Sequence, residues 1–460
     1  MGPWDVTVVG GGILGTSVAY WLADRFEGRI ALIEREPQVA EHTSRRNTGV
    51  IHRPFYLDPD ARKVFARSSQ AAYGMWKDYT AARALSWNPV GTLEVATDEA
   101  RARKLVTYRR WGEANGMTPD ELQLLTSEEV RRLEPHVRCH GAIWAKTDTA
   151  VDFRELTDSL RRDAERKGAT FLMSREVVGI EPRADHLEVR LRRDTPTPSE
   201  VFVDPRHRIH VFPETGEEPH ATRFLINCAG GNSIDVAHML DVGWEYTDLH
   251  FRGDYWSIRP EWRYLARRNV YSVPRHPELP FLDPHWIVRA DGRVEIGPNA
   301  VPVAGPYTYG GFFDDPAEPV EKFFEPPVRN KITLLVNPDF LSLAVEEAAS
   351  SMSKRLLAQR VRQFLPELRP AALGPRGFAG IRASVIDRQG NFIKEAIEIP
   401  GPMSYHITNY NSPGATGAPA YTAWVVRKLA ALGHLDHMKR KASGSAGMWN
   451  FDAVVESVGA

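Results

Sequence analysis

Apolar and polar positions recur along this chain with two periods, one of strands and one of helices, and their order along the chain is informative. Val6-Thr7-Val8-Val9 is a short apolar, β-branched run, and Thr16 to Leu22 follows it as a helical one. Between them stands Gly10-Gly11-Gly12-Ile13-Leu14-Gly15, and a second apolar run, Ile30-Ala31-Leu32-Ile33, ends in the acid Glu34. Asp58 to Thr80 has helical spacing, with Val64, Ala71 and Met75 on one side, and Leu93-Glu94-Val95-Ala96 alternates as a strand does. Arg101 to Ala114 and Ser127 to Leu133 read as helices, the second with Ser127 as its N-cap and Glu128 and Glu129 in the first turn. Asp152 caps a helix that sets Phe153, Leu156, Leu160 and Ala164 on one face and stops at Gly168.

Strands are expected at Thr170 to Met173, Val177 to Ile180 and Leu187 to Leu191, and the proline-rich, charged segment Arg193 to His220 reads as a surface hairpin or insertion. Phe224 to Gly231 is an apolar strand running into small residues, with a helix beginning at Ser233. Leu249 to Val303 is strand-rich and aromatic, Tyr307 to Phe313 is a glycine and aromatic loop, and Phe340 to Phe364 has helical spacing that ends before Pro366. The chain then returns to strand-like Gly380 to Val385, to the segment Tyr405 to Gly417, and to a helix from Ala418 to Leu432. After Asp436 come the flexible Ser443-Gly444-Ser445 and an apolar island, Met448, Trp449 and Phe451, which can dock on the body or on a neighbour.

This order predicts an α/β chain, α+β overall, in which a Rossmann-like nucleotide-binding domain is interrupted by a mixed-sheet domain with helices. Segments 1–90, 151–245 and 371–435 fall to the first domain, 91–150 and 246–370 to the second, and 436–460 to a tail. Composition narrows the setting. With 58 basic and 59 acidic residues the net charge is −1, which suits neither a nucleic-acid surface nor an anionic membrane. Two cysteines, Cys139 and Cys228, make a disulfide framework unexpected. The first strand starts too soon for a signal peptide, and no run of about 18 apolar residues offers a span. A soluble cytoplasmic protein is expected, with peripheral membrane association left open.

Strand, glycines, helix, strand and terminal acid in that order predict a dinucleotide site. Gly10 serves the tight turn, Gly12 close approach to a pyrophosphate, and Gly15 close packing of helix on strand, while the helix N-terminus offers free N–H groups to the anion. Glu34 suits the hydroxyls of an unphosphorylated ribose, hence FAD or NAD rather than NADP.

Six separated motifs settle that choice by resemblance: GGGILG (Gly10 to Gly15), NTGVIH (Asn47 to His52), FRGDY (Phe251 to Tyr255), IGPNA (Ile296 to Ala300), GIRASVIDRQGN (Gly380 to Asn391) and SPGAT (Ser412 to Thr416). Over residues 4 to 432 the chain resembles flavoenzymes of the D-amino acid oxidase and glycerol-3-phosphate dehydrogenase type, and most closely the L-2-hydroxyglutarate dehydrogenase/oxidase family. The resemblance implies bound FAD. Gly10, Gly12, Ile13, Leu14, Gly15, Glu34 and Arg35 would hold the adenosine diphosphate half, and Ser44, Asn47, Thr48 and Gly49 would run along the flavin and pyrophosphate. Val177, Ala229 and Gly230 would add nucleotide contacts, and Gly380, Arg382, Ser412, Pro413, Gly414, Ala415 and Thr416 would lie at the flavin.

The implied reaction is oxidation of a small 2-hydroxy acid such as L-2-hydroxyglutarate to the 2-oxo acid, by hydride transfer to the flavin. Such a site needs a cation for the carboxylate, assigned to Arg382, and a base for the hydroxyl proton, for which His52 and His406 are candidates. Arg252 and Tyr255 could assist, Arg252 equally by locking the Phe251 turn. Two departures from the family pattern, Arg53-Pro54 after His52 and Tyr410-Asn411 before SPGAT, fall at the expected substrate pocket, so Arg53 and Tyr410 are further substrate-binding candidates. The competing readings are an amine or amino-acid oxidase on the same fold and a flavin-binding protein without turnover. The electron acceptor (oxygen, a quinone or a carrier) and the oligomeric state have no signature in the chain.

Overall fold

A computed structural model describes residues 2–193, 201–203, 209–211, 217–275, 283–310, 324, 328–441 and 448–459. Its first sheet is built on the strand Trp4–Val9, flanked in parallel by Ile30–Ile33 on one side and Glu217–Asn227 on the other. Val6 to Val9 are all buried, as a parallel strand covered on both faces requires. Ala169–Leu172 extends the parallel order beyond Ile30–Ile33. The long strand Glu217–Asn227 changes partner along one edge: its first half pairs antiparallel with Leu187–Arg192, and its last residues pair parallel with Ser404–Thr408.

On one face of this sheet the helices Ile13–Arg25, Lys63–Arg83, Phe153–Arg166 and Gly414–Ala431 form the largest core, with Trp21, Trp76, Tyr79 and Tyr421 fully buried. The tail docks there too. Trp449 packs against Tyr20, Trp21, Trp76 and Tyr79 and donates its indole N–H to the Met75 carbonyl at 3.1 Å, so the apolar island closes the core of its own chain. The opposite face is covered by a smaller cluster in which Val9, Ile33 and Leu225 meet Val189 and Val236.

The second sheet has eight strands, in the spatial order Leu373–Arg376, Trp256–Ile258, Val294–Gly297, His285–Val288, Asn269–Ser272, Thr92–Ala96, Gly141–Ala145 and Leu122–Leu125. All its pairings are antiparallel except that of Asn269–Ser272 with Thr92–Ala96. A third sheet, Thr247–Gly253 between Val301–Val303 and Gly380–Ile386, bridges the two. Residues 373–386 thus belong to the second and third sheets, and the nucleotide-type sheet resumes only at Ile397–Gly401.

Locally the sequence expectations shift by small amounts. The helix expected from Asp58 begins at Lys63, behind a turn in which the Asp58 carboxylate takes the N–H groups of Asp60 and Ala61. The cap of Ser127–Leu133 is Thr126, not Ser127. Its hydroxyl accepts the Glu129 N–H while the Glu129 carboxylate takes the Thr126 N–H, a capping box one residue earlier. Of the 193–220 segment the described pieces include a two-stranded hairpin, Val201–Val203 with Ile209–Val211; residues 311–313 and 443–445 lie outside the described residues. No helix among the described residues is long and apolar enough to cross a membrane.

Candidate active site

The turn after the first strand decides where a ligand can lie. Gly10 has φ +104°, and a Cβ there would strike the Cys228 carbonyl on the neighbouring strand; a Cβ on Gly15 would strike the Gly10 carbonyl itself. With both side chains absent, the N-terminus of Ile13–Arg25 comes up against the strand ends, and two chambers meet above it. Gly12, Thr43, Ser44, Gly230, Ile381 and Ala383 line both.

The outer chamber is walled by Gly10, Glu34, Arg35, Val177 and Ala229. Glu34 accepts the N–H groups of Gly11 at 2.5 Å and Glu36 at 2.8 Å. Burial nevertheless pushes its pKa up, so further donors such as ribose hydroxyls would be favourable there. Ser44 Oγ takes the Ile13 N–H at 2.9 Å and ties the 42–48 loop to the helix start. Two predicted cofactor residues act from behind the wall: Gly15 as the packing contact described above, and Gly49, at φ +70°, whose N–H is held by the Asn47 side chain at 2.8 Å.

The inner chamber lies between the first and third sheets. Ile13, Leu14, Asn47, Thr48, Gly380 and the segment from Ser412 to Thr416 surround it, the last as the approach to and first turn of the helix Gly414–Ala431. That N-terminus turns the positive end of a helix dipole toward the cavity. An elongated cavity with an acid at one end, a glycine turn and helix start in the middle and a second helix start at the other end fits a dinucleotide.

His52, Tyr255, Arg382 and Tyr410 also line the inner chamber. His52 Nδ1 lies 3.0 Å from Asp148 Oδ2, and Asp148 is fully buried. The second Asp148 oxygen accepts the Arg53 backbone N–H at 2.8 Å. A carboxylate on Nδ1 fixes the proton there and leaves Nε2 as the basic nitrogen. Arg382 stands on Gly380–Ile386 opposite Phe251, and burial draws its guanidinium pKa down to about 10, still cationic at neutral pH. Burial also holds the Tyr255 phenol protonated, at a pKa of about 12. Tyr410 stacks on Phe65 (5.0 Å) and Tyr421 (4.6 Å), and its hydroxyl is buried with no hydrogen-bond partner among the described residues. That stacking holds the Tyr410 side chain in place at the cavity wall.

Three candidates face elsewhere, for one common reason. In extended backbone successive side chains point to opposite sides. His52 takes the cavity side, so Arg53 turns away: it bonds Glu121 and Thr147 at 2.7 Å each and Gln70 at 2.9 Å, and covers the Tyr73 ring at 4.3 Å. Phe251 and Gly253 line the cavity, so Arg252 points behind the strand, paired with Asp254 at 3.2 Å and donating to the Tyr309 carbonyl. Ile407 lines the cavity, so His406 is buried in the sheet, with Asn227 Nδ2 and Ser404 Oγ each at 3.0 Å from its ring nitrogens. Burial lowers its pKa to about 4.

Sequence reasoning missed Asp148 and Arg46. Asp148 sits 96 residues from its histidine, in the turn between the strands Gly141–Ala145 and Thr149–Ala150, which belong to different sheets, and nothing local marks it. Arg46 lines the inner chamber while donating to the carbonyls of Glu41 and Ala379. Among the described residues that line that chamber, the charged side chains are Arg46 and Arg382.

Comparison with known proteins agrees with this geometry. Residues 5–428 match the family described as FAD dependent oxidoreductase, DAO. The mitochondrial L-2-hydroxyglutarate dehydrogenase of Bos taurus is 28% identical over 432 residues, covering 93% of this chain and 88% of that protein. The L-2-hydroxyglutarate dehydrogenase of Escherichia coli K12 is 26% identical over 430 residues, with coverages of 93% and 94%. Among solved structures, the FAD-bound L-α-glycerophosphate oxidase of Mycoplasma pneumoniae superposes with a TM-score of 0.66 at 20% identity, over 96% of this chain and 97% of that one. The glycine oxidase of Geobacillus kaustophilus gives 0.64 at 15%, over 97% and 98%. These superpositions establish the fold, and the match over residues 5–428 establishes the kinship: the chain belongs to the DAO family of FAD-dependent oxidoreductases.

Proposed function

We propose that this enzyme oxidises a small 2-hydroxy dicarboxylic acid of the L-2-hydroxyglutarate kind to the corresponding 2-oxo acid. One observation carries the reading: Arg382 and the Asp148-oriented His52 stand in the wall of the same chamber. FAD, held by the glycine turn, the 42–48 loop and the helix start at Gly414, supplies when bound the acceptor for the hydride leaving C2. Arg382 binds the carboxylate next to C2 through its planar fork, which fixes the carbon in place. His52 Nε2 takes the hydroxyl proton, and Asp148 stabilises the imidazolium that results. The two cations in the wall, Arg46 and Arg382, complement a dianion, which supports a dicarboxylic substrate. Tyr410 narrows the chamber with its ring. A cytoplasmic setting goes with this reading and suits two unpaired cysteines, Cys139 and Cys228.

The test is an anaerobic absorbance scan of the yellow holoenzyme with L-2-hydroxyglutarate, other 2-hydroxy acids, glycerol 3-phosphate and amino acids in turn. Bleaching by 2-hydroxy dicarboxylates is expected. Bleaching by amino acids alone would overturn the reading.

A further inference from the structure

The outer chamber has a wall that the nucleotide-type sheet does not provide. Pro306 and Tyr307, which follow the third-sheet strand Val301–Val303, reach across and line it together with Glu34, Arg35 and Val177. Tyr307 is gripped from the first domain: the Arg35 guanidinium covers its ring at 3.8 Å, and His42 meets it edge-on at 4.8 Å. The turn that carries it is anchored at several further points. Thr308 Oγ1 accepts the Gly305 N–H at 3.1 Å, Arg252 donates to the Tyr309 carbonyl at 3.2 Å, and the Tyr309 hydroxyl pairs with His42 Nδ1 at 2.9 Å. His42 is itself held on Glu36 at 2.9 Å. So many constraints on one short turn fix an aromatic ring beside the acid that suits a ribose.

We infer that Tyr307 is a cofactor-binding residue contributed by the second domain, an aromatic wall for the adenosine end of FAD that makes cofactor retention depend on the 305–309 turn. Aromatic faces hold nucleobases by stacking, a contact that tolerates any base because each has a π-face. The contact lies at the opposite end of the cavity from His52 and Arg382, so it bears on holding the cofactor and not on the reaction.

The experiment compares FAD release from wild-type, Tyr307→Phe and Tyr307→Ala holoenzymes, read as the rise of FAD fluorescence after dilution, with ADP as a competitor of FAD rebinding to each apoprotein. Tyr307→Ala is expected to release FAD about tenfold faster and to raise the inhibition constant of ADP by a similar factor, while Tyr307→Phe stays within twofold of wild type on both. Unchanged FAD release in the alanine variant would overturn the inference. Faster release with an unchanged ADP constant would overturn it as well, because the ring would then act only as packing between domains.

Discussion

Asp148→Asn removes one charge and keeps the shape, and the hydrogen bonds around it dictate what the asparagine must do. One Asp148 oxygen accepts the Arg53 backbone N–H at 2.8 Å, and the other faces His52 Nδ1 at 3.0 Å. A backbone amide can only donate. The asparagine oxygen therefore stays on Arg53, and its NH2 group falls on His52 Nδ1, which must become the acceptor. The proton moves to Nε2, the nitrogen the reaction needs free. Loss of a positioned general base costs about 10²- to 10⁴-fold, or about 3–5 kcal/mol of barrier. The assay is anaerobic stopped-flow reduction of holo Asp148→Asn by L-2-hydroxyglutarate, with FAD content and the substrate concentration dependence measured on the same sample. The limiting rate is expected to fall by at least a hundredfold, with FAD content unchanged and substrate affinity within a few-fold of wild type. A limiting rate within threefold of wild type would refute the reasoning, since His52 would then need no orienting carboxylate or would not be the base.

Three other expectations follow from the same geometry. Arg382→Lys should weaken substrate binding about thirtyfold, the loss of roughly 2 kcal/mol when a bidentate fork becomes a point charge; in the wild type, whose guanidinium pKa is drawn down to about 10, binding should weaken as pH rises through that value. Glu94 is buried near Asp148, chiefly desolvation raises its pKa to about 8, and so the folded state holds a proton that the unfolded state releases above about 4.5. The stability it contributes is therefore full below about pH 4.5 and lost as pH rises to 8, about 5 kcal/mol in all; urea midpoints of Glu94→Gln should overtake wild type progressively over that window, and a pH-independent difference would show that Glu94 is ionised in the fold. Arg53→Met should lower stability by about 3 kcal/mol through the stranded Glu121 and Gln70 partners while leaving kcat/KM for L-2-hydroxyglutarate within twofold; a selective loss of dicarboxylate substrates would return Arg53 to the site.

The nucleotide half of the fold was legible because its signals are local. A β-branched run, glycines at fixed spacing, a helical run and an acid at the end of the next strand occupy thirty consecutive positions, each with one physical use, and the structure assembles them in that order. The second domain was legible only as a strand-rich interruption. Its eight strands come from both sides of the 151–245 segment, and the parallel contact of Asn269–Ser272 with Thr92–Ala96 joins residues no local pattern links. The tail's island, ambiguous in sequence, is decided by the packing of the Trp449 ring on Trp21, Trp76 and Tyr79.

At the candidate site the limit of sequence reading has a sharper form. A motif identifies which segment reaches the cavity; it does not say which of two adjacent side chains enters it. His52 against Arg53, Phe251 against Arg252 and Ile407 against His406 are three such pairs, and in each the extended backbone puts one member in the chamber and the other behind it. The side of entry is set by where each strand's partners lie: Ser404–Thr408 packs on Glu217–Asn227, which commits His406 to Asn227, and the Asp148 carboxylate commits the His52 ring to its own orientation. Arg53 and Arg252, expected to bind substrate, and His406, a candidate base, thus have their polar partners within the walls, and Arg53 supports the His52 segment from behind. At the second departure from the family pattern both Tyr410 and Asn411 line the chamber, so specificity within this family is expected to move with the bulk at Tyr410 before it moves with the charge at Arg53.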